Sequence, residues 1–385
     1  MIFGLPANMR FKTSFLFVLV SIFWSLSFPF QANATPKTPK VVVTVKPIYE
    51  LTKIIMEGAG SPQLLLEGTT DPHHFSLQPS LVKKLQDSDL IIWVGPTLEG
   101  FLIKPLISMK KRTLPLMSID GMMLLRREHH HSCLLKEACV DQTAAEKKIE
   151  DLKALFEKEV TSLDPHIWLS VENVKLIVKE IAFHLSAMDL LNAKRYTANS
   201  KELIKKLDTF KGEIDKLATP LAHNHFVAFH DGYAYIEHAY KLKNSAVELI
   251  THGHSPSLKA VQELKQLIRK RKIECILVDP QHISSLEQKL AEDHDMAMVE
   301  ADPLGLEVES GPDHYFNLMR TLILDFGQCF KKDLNGPSVA GNSTSTNAVA
   351  ATFSVGMKHK EKHQKRKHSH SHKGGHHHTH DNHSH

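Results

Sequence analysis

The 385-residue chain is long enough for two ordinary domains, and with 42% hydrophobic and 23% charged residues most of it is expected to fold, which excludes a wholly disordered protein and a polytopic membrane protein. The formal net charge of +4 comes from the segment beginning at Lys358, and the rest of the chain is nearly neutral. Nucleic acid is therefore not expected as a partner, because phosphate binding needs a basic face.

From the N-terminus, Arg10 and Lys12 precede an apolar run from Phe15 to Phe30, and Ala32-Asn33-Ala34 follows in the small-x-small pattern of a cleavage site. Residues 1–34 therefore read as a secretory signal peptide. The run of about 16 residues is short for a membrane span and contains Pro29. The mature chain is expected to start near Thr35 and to be soluble outside the cytoplasm. Val41 to Val45 is a β-branched run, and Lys46-Pro47 opens a helical pattern through Ile54. Leu64-Leu65-Leu66 is a second short apolar run, followed by a polar loop with Asp71-Pro72-His73-His74. A helix is expected from Pro79 to about Gln86, and Leu90 to Val94 reads as a strand ended by Gly95-Pro96. Strands with uniformly apolar runs, alternating with helices, indicate parallel sheets covered on both faces, an α/β architecture.

The residues from Arg126 to Leu163 are polar and read as a surface insertion carrying His129-His130-His131. From Glu172 to Leu217 the pattern is helical, with Leu203, Leu207, Ile214 and Leu217 at helical spacing. The alternation then returns. Strands are expected at His225–Phe229, Ile273–Val278 and Met296–Val299, with helices over Ser257–Lys270 and Ser284–Asp293. The expected layout is a signal peptide (1–34), an N-terminal α/β lobe (35–195) with an insertion at 126–163, and a linking helix (196–220). A C-terminal α/β lobe (221–334), a flexible linker (335–357) and a His-rich tail (358–385) follow.

Four cysteines, Cys133, Cys139, Cys275 and Cys329, allow three pairings in an exported protein. Cys133 and Cys139 share one polar loop, while Cys275 and Cys329 both belong to the C-terminal half. A bridge between the latter two would close a loop worth roughly 4 kcal/mol in the chain-entropy model.

The abnormal count is 27 histidines, 11 of them between His359 and His385, and histidine is the commonest metal ligand. His73 follows an apolar strand. His166 sits in Asp164-Pro165-His166-Ile167-Trp168, just after the insertion. His230 and Asp279 each lie at the carboxyl end of a strand, where open α/β folds bind ligands. A cleft between two lobes would gather three imidazoles and a carboxylate, a donor set that suits tetrahedral zinc. His74, His238 and His314 read as ordinary hydrogen-bonded residues, and His252 and His254 as loop residues.

The strings Pro72-His73-His74-Phe75-Ser76-Leu77-Gln78-Pro79-Ser80, Trp93-Val94-Gly95-Pro96, His166-Ile167-Trp168-Leu169-Ser170 and Phe229-His230-Asp231-Gly232-Tyr233 resemble those of the periplasmic zinc-binding proteins of bacterial ABC importers, the ZnuA type. Asp279-Pro280-Gln281 and Asp302-Pro303-Leu304-Gly305 extend the likeness, which runs from about Val41 to Lys332. The resemblance implies two pseudo-similar α/β lobes joined by one long rigid helix, with the metal site in the inter-lobe cleft. It implies zinc, as transported ligand, held by His73, His166 and His230. The fourth ligand varies in that family between carboxylate and water, and Asp279 is the candidate here. It also implies a Cys275–Cys329 disulfide, an ABC permease as partner, and a monomer. The insertion is poorer in histidine than the family's loop and contains Cys133 and Cys139, whereas His-rich material sits in the tail.

Within the tail, His368, His370, His372, His376, His377 and His378 are candidate auxiliary ligands, as are His129, His130 and His131 in the insertion. Such chelation is weaker than at a folded site, because each ligand set must first be ordered. The expected function is a non-enzymatic zinc-binding protein that delivers its cargo to the permease. A secreted zinc hydrolase and a metal buffer acting through the tail are the alternatives; against the first, the chain has no His-Glu-x-x-His pattern.

Overall fold

The computed structural model describes residues 38–68, 70–126, 163–246, 257–280 and 283–334. The expected signal peptide, residues 127–162 of the insertion, His252, His254 and the tail lie outside the described residues.

The first half is built on β1 (Val41–Val43), β2 (Gln63–Leu64), β3 (Leu90–Trp93) and β4 (Thr113–Pro115), all parallel in the order β2-β1-β3-β4. Every residue of β1 and β3 is buried, as expected of strands covered on both faces. Helix α1 (Lys46–Met56) follows β1, and Pro47 in its first turn forfeits only a donor that has no intrahelical partner. Its Ile48, Leu51, Thr52, Ile55 and Met56 form a single buried stripe. Helices α2 (Pro79–Gln86) and α3 (Ile103–Met109) complete the crossovers between parallel strands.

Glu99 ties the carboxyl ends of β1 and β3 together. Its carboxyl accepts from the backbone N–H groups of Val94 (3.1 Å) and Gly95 (2.9 Å) and from the Thr44 hydroxyl. Complete burial outweighs these three donors and pushes its pKa up from 4.5 to about 7.

Two long helices follow, α4 (Val171–Met188) and α5 (Ala193–Ala218). The sequence places the joining helix at 196–220; the structure begins α5 at Ala193 and ends it at Ala218. The helix yields to a single 3-10 turn, Thr219–Leu221, where Pro220 has no N–H to continue it. At 26 residues α5 is about 39 Å long. It buries Tyr196, Ser200, Leu203, Leu207, Phe210, Ile214 and Ala218 along one face. Near its start Asn199 Nδ2 donates to the carbonyls of Ile55 and Glu57 in the first half.

The second half contains β5 (His225–Phe226), α6 (Ala234–Tyr240), β6 (Lys243–Asn244), α7 (Leu258–Arg271), β7 (Cys275–Val278), α8 (Ser285–His294), β8 (Ala297–Glu300) and α9 (His314–Cys329). Phe210 of α5 packs on Phe316 of α9 with ring centroids 5.1 Å apart, so α5 is held by both halves. β5 pairs with β6 and β7 with β8, all parallel, and a parallel bridge between Val227 and Ile276 joins the two pairs. The resulting order, β6-β5-β7-β8, repeats that of the first half. Ser257 caps α7, and Ser284 with Glu287 forms a capping box on α8, which fixes where both helices begin. No helix among the described residues is long and apolar enough to cross a membrane.

Cys275, the first residue of β7, is disulfide-bonded to Cys329, the last of α9, with Cα atoms 5.3 Å apart. The bond pins α9 across the second sheet and closes a loop with a sequence separation of 54.

Two outcomes are expected. Replacing both Cys275 and Cys329 by Ala should lower unfolding stability by roughly 4 kcal/mol, measured by urea denaturation beside the oxidised wild type. Glu99 binds its proton more tightly folded than unfolded, so its contribution is present below 4.5 and is lost as pH rises through about 7. Wild-type stability should therefore fall more steeply than that of Glu99→Gln between about pH 5 and about pH 8, and parallel pH profiles would contradict this account.

Candidate metal centre

Two aspartate-proline turns present two of the three candidate histidines. In Asp71-Pro72-His73 the His73 N–H donates to Asp71 Oδ1 at 2.8 Å, and in Asp164-Pro165-His166 the His166 N–H donates to Asp164 Oδ1 at 2.9 Å. Each is an Asx turn, in which the side chain replaces a backbone acceptor and sets the direction of the imidazole two residues on. His73 lies in the loop after β2. His166 follows a junction at which Arg126 and Leu163 bridge antiparallel and the Asp164 N–H donates to the Leu125 carbonyl at 2.8 Å. The insertion therefore starts and returns at one point, directly before His166.

The third histidine, His230, follows the extension of β5. Gly232 lies beneath its ring: a Cβ there would stand 2.8 Å from His230 Cε1, so a side chain would displace the imidazole. One ligand nitrogen from each of His73, His166 and His230 lies within 4.8 Å of the other two. The ring centroids are 5.4 Å (His73–His166), 5.6 Å (His73–His230) and 5.0 Å (His166–His230) apart. His166 is buried, and His73 and His230 are half-buried. A tetrahedral ion with about 2.0–2.1 Å bonds needs nitrogens about 3.3 Å apart, a distance within reach of small side-chain adjustments.

Carboxylates stand behind two of these rings. Asp164 Oδ1 is 2.6 Å from His166 Nδ1, and Asp279 Oδ2 is 2.7 Å from His230 Nδ1. Such a pair favours the proton on Nδ1 and leaves the Nε2 lone pair for a cation. The sequence places Asp279 as a fourth ligand. In the structure its carboxylate lies against His230 Nδ1, and the ligand atoms within 4.8 Å of one another are those of the three histidines.

Around the site, Trp168 stands edge-on to His166 with centroids 5.3 Å apart, and its indole donates to the Pro303 carbonyl at 2.8 Å. Tyr233 is fully buried and donates to the Ala301 carbonyl at 2.6 Å. Burial first, then the charges of Asp279 and Asp302, raises its pKa well above the usual phenol value, so it remains a neutral donor. Asp302, whose pKa burial raises, accepts from the backbone of Leu304 and Leu306 at 2.8 and 2.6 Å.

His74 is exposed and pairs with Asp71 at 2.9 Å, outside the triad. His314 is buried against the Gly305 carbonyl at 3.0 Å, and His238 is exposed on α6. The auxiliary candidates His129, His130, His131, His368, His370, His372, His376, His377 and His378, together with Cys133 and Cys139, lie outside the described residues. Sequence reasoning missed the role of Asp164; the signal was the repeated Asp-Pro-His at 71–73 and 164–166.

Known proteins resemble this chain in sequence and in fold. The profile of the family described as ZnuA, zinc-uptake complex component A, periplasmic, matches residues 41–329. A protein of Brucella suis biovar 1 named high-affinity zinc uptake system protein ZnuA is 28% identical over 309 residues, covering 76% of this chain and 92% of the relative. The zinc-binding protein AdcA of Streptococcus pyogenes serotype M3 is 28% identical over 322 residues; the match covers 81% of this chain and 60% of AdcA. Among solved structures, a crystal structure of ZnuA superposes with a TM-score of 0.61 at 19% identity, covering 76% of this chain and 99% of the other. Zn(II)-bound AdcA from Streptococcus pneumoniae does so with a TM-score of 0.57 at 22% identity, covering 80% and 61%. At these identities the structural likeness establishes the fold.

The carboxylate–imidazole pairs lead to a direct test. Asp164→Asn retains an oxygen for the Asx turn but removes the charge behind His166, and Asp279→Asn does the same behind His230. Each should weaken divalent-metal affinity by about 10–100-fold in chelator competition, without loss of fold by circular dichroism. Wild-type affinity in both variants would show that the carboxylates do not tune the rings.

Proposed function

The chain belongs to the ZnuA family of zinc-uptake components, and on that basis we propose that it is an exported receptor that captures Zn2+ outside the inner membrane and hands it to an ABC permease. The observation that carries this reading is the convergence of His73, His166 and His230 within 4.8 Å, drawn from both halves of the fold. Neutral imidazoles backed by carboxylates favour zinc over the harder cations, which prefer oxygen donors. Two of the ligands come from the first half and one from the second, so the site exists only when the halves are correctly spaced. A receptor that releases its cargo intact needs no acid, base or nucleophile, and a role as carboxylate support for His166 and His230 accounts for Asp164 and Asp279. The N-terminal segment 1–34 supports export, and the His-rich tail supports an auxiliary store of weakly held zinc, whose imidazoles lose the metal as they protonate near pH ~6.5.

Single replacement of His73, His166 or His230 by Ala should weaken zinc binding by at least about 100-fold, because each removes one of three nitrogen ligands from a preorganised set. Competition against a zinc chelator, with the protein ending near Lys332 so that tail histidines do not contribute, is the measurement. Wild-type affinity in all three variants would sink the assignment. Zinc-limited growth of cells carrying the same variants tests the transport role separately.

A further inference from the structure

A strut between the two halves of the triad is formed by the segment from Ala301 to Val308, which connects β8 to α9. The Ala301 carbonyl accepts from Tyr233, three residues after His230, at 2.6 Å. Two residues on, the Pro303 carbonyl accepts from the indole of Trp168, two residues after His166, at 2.8 Å. The same short stretch of backbone therefore touches the supports of both histidines. The segment organises itself around Asp302, whose carboxylate collects the N–H groups of Leu304 and Leu306. Gly305 takes the left-handed conformation (φ +60) required for the reversal, where a Cβ would stand 3.0 Å from Leu318.

This folding of the segment turns three carbonyls toward one point, and Lys46 occupies it. Its ammonium donates to the carbonyls of Gly305 (3.1 Å), Leu306 (2.7 Å) and Val308 (2.7 Å), using all three of its N–H donors. Lys46 is the first residue of α1 in the first half, and the carbonyls belong to the second. His314 adds a contact to the Gly305 carbonyl from α9 at 3.0 Å. Burial lowers the pKa of Lys46, and Glu50, one turn along α1, and Asp302 oppose that lowering only in part.

We propose that Lys46 is a positioning residue for metal retention: by locking the 301–308 strut from the opposite half, it fixes the spacing between His166 and His230. The proposal rests on the assignment of the triad as the zinc site. Removing a partly buried cation would leave three carbonyls to find other donors and would free the strut from the first half, while the ligand side chains themselves remained intact.

The test uses full-length protein. Lys46→Met is expected to release zinc to excess chelator about tenfold faster than wild type, the scale of losing one charged hydrogen-bonding group. It should also alter the visible ligand-field spectrum of the Co(II)-substituted triad, which a purely structural role elsewhere would not move. In the metal-free protein, amides of Leu304, Leu306 and Val308 should exchange faster. Lys46→Arg, which keeps charge and donors, should recover part of the release rate. Should Lys46→Met not fold by circular dichroism, Lys46→Gln replaces it with the same readouts. Wild-type release together with a wild-type Co(II) spectrum in the folded variant overturns the proposal. Failure of the triad assignment shows differently, as wild-type zinc affinity in the three His→Ala variants, and the hydrogen-exchange result on metal-free protein is independent of it.

Discussion

An imidazole can offer a lone pair to a cation only if its other nitrogen holds the proton, and the chemistry of this protein depends on meeting that condition with buried carboxylates. Asp164 and Asp279 are both almost completely buried, and each lies within 2.7 Å of an Nδ1 atom. Burying a carboxylate is costly unless it is hydrogen-bonded. The fold meets that cost locally at Asp164, which accepts from the His166 backbone as well as its ring. The same turn that shapes the backbone therefore also selects the tautomer. At His73 the turn follows a parallel strand and at His166 it follows the antiparallel Arg126–Leu163 bridge, and in both an aspartate-proline turn sets the direction of the imidazole.

A site assembled from two halves needs those halves held at one distance. Helix α5 supplies the long-range constraint, with its buried stripe running from Tyr196 to Ala218. Hydrogen bonds close to the site supply the fine one. Trp168 meets Pro303, Tyr315 meets the Trp168 carbonyl at 3.0 Å, and Tyr235 meets the Asp164 carbonyl at 3.0 Å. All are neutral donors, and burial drives the pKa of both tyrosines upward, so these contacts do not titrate near neutrality. The disulfide does a different task, fixing α9 to β7 within the second half.

Much of this was legible in the amino-acid sequence, for physical reasons that differ by element. β1, β3 and β7 are uniformly apolar because both faces are covered, and that pattern survives without any knowledge of partners. His73, His166 and His230 stood out because they follow apolar runs or a turn-forming Asp-Pro pair. The two-residue strand β6 was not legible as a strand, since two residues carry no alternation. The sequence could place Asp279 only at the strand end beside His230, because whether a carboxylate reaches a cation or stops at the imidazole is decided by less than the length of a side chain. Lys46 read only as the opening of a helix, because its three acceptors lie some 260 positions away.

The pinned junction at Arg126–Leu163 isolates the insertion from the chain that follows it. Its two ends are paired to each other, and Tyr235 bolts the same spot from the second half, accepting from the Leu125 N–H and donating to the Asp164 carbonyl. Segments spliced between paired ends transmit neither length nor register to the downstream chain. Lengthening a loop adds closure entropy only logarithmically, about 0.6 kcal/mol per doubling for a flexible segment. His166 sits three residues beyond the junction, so residues can be gained, lost or exchanged between 127 and 162 while the ligand keeps its aim. The junction thus separates the length of the insertion from the aim of the ligand that follows it.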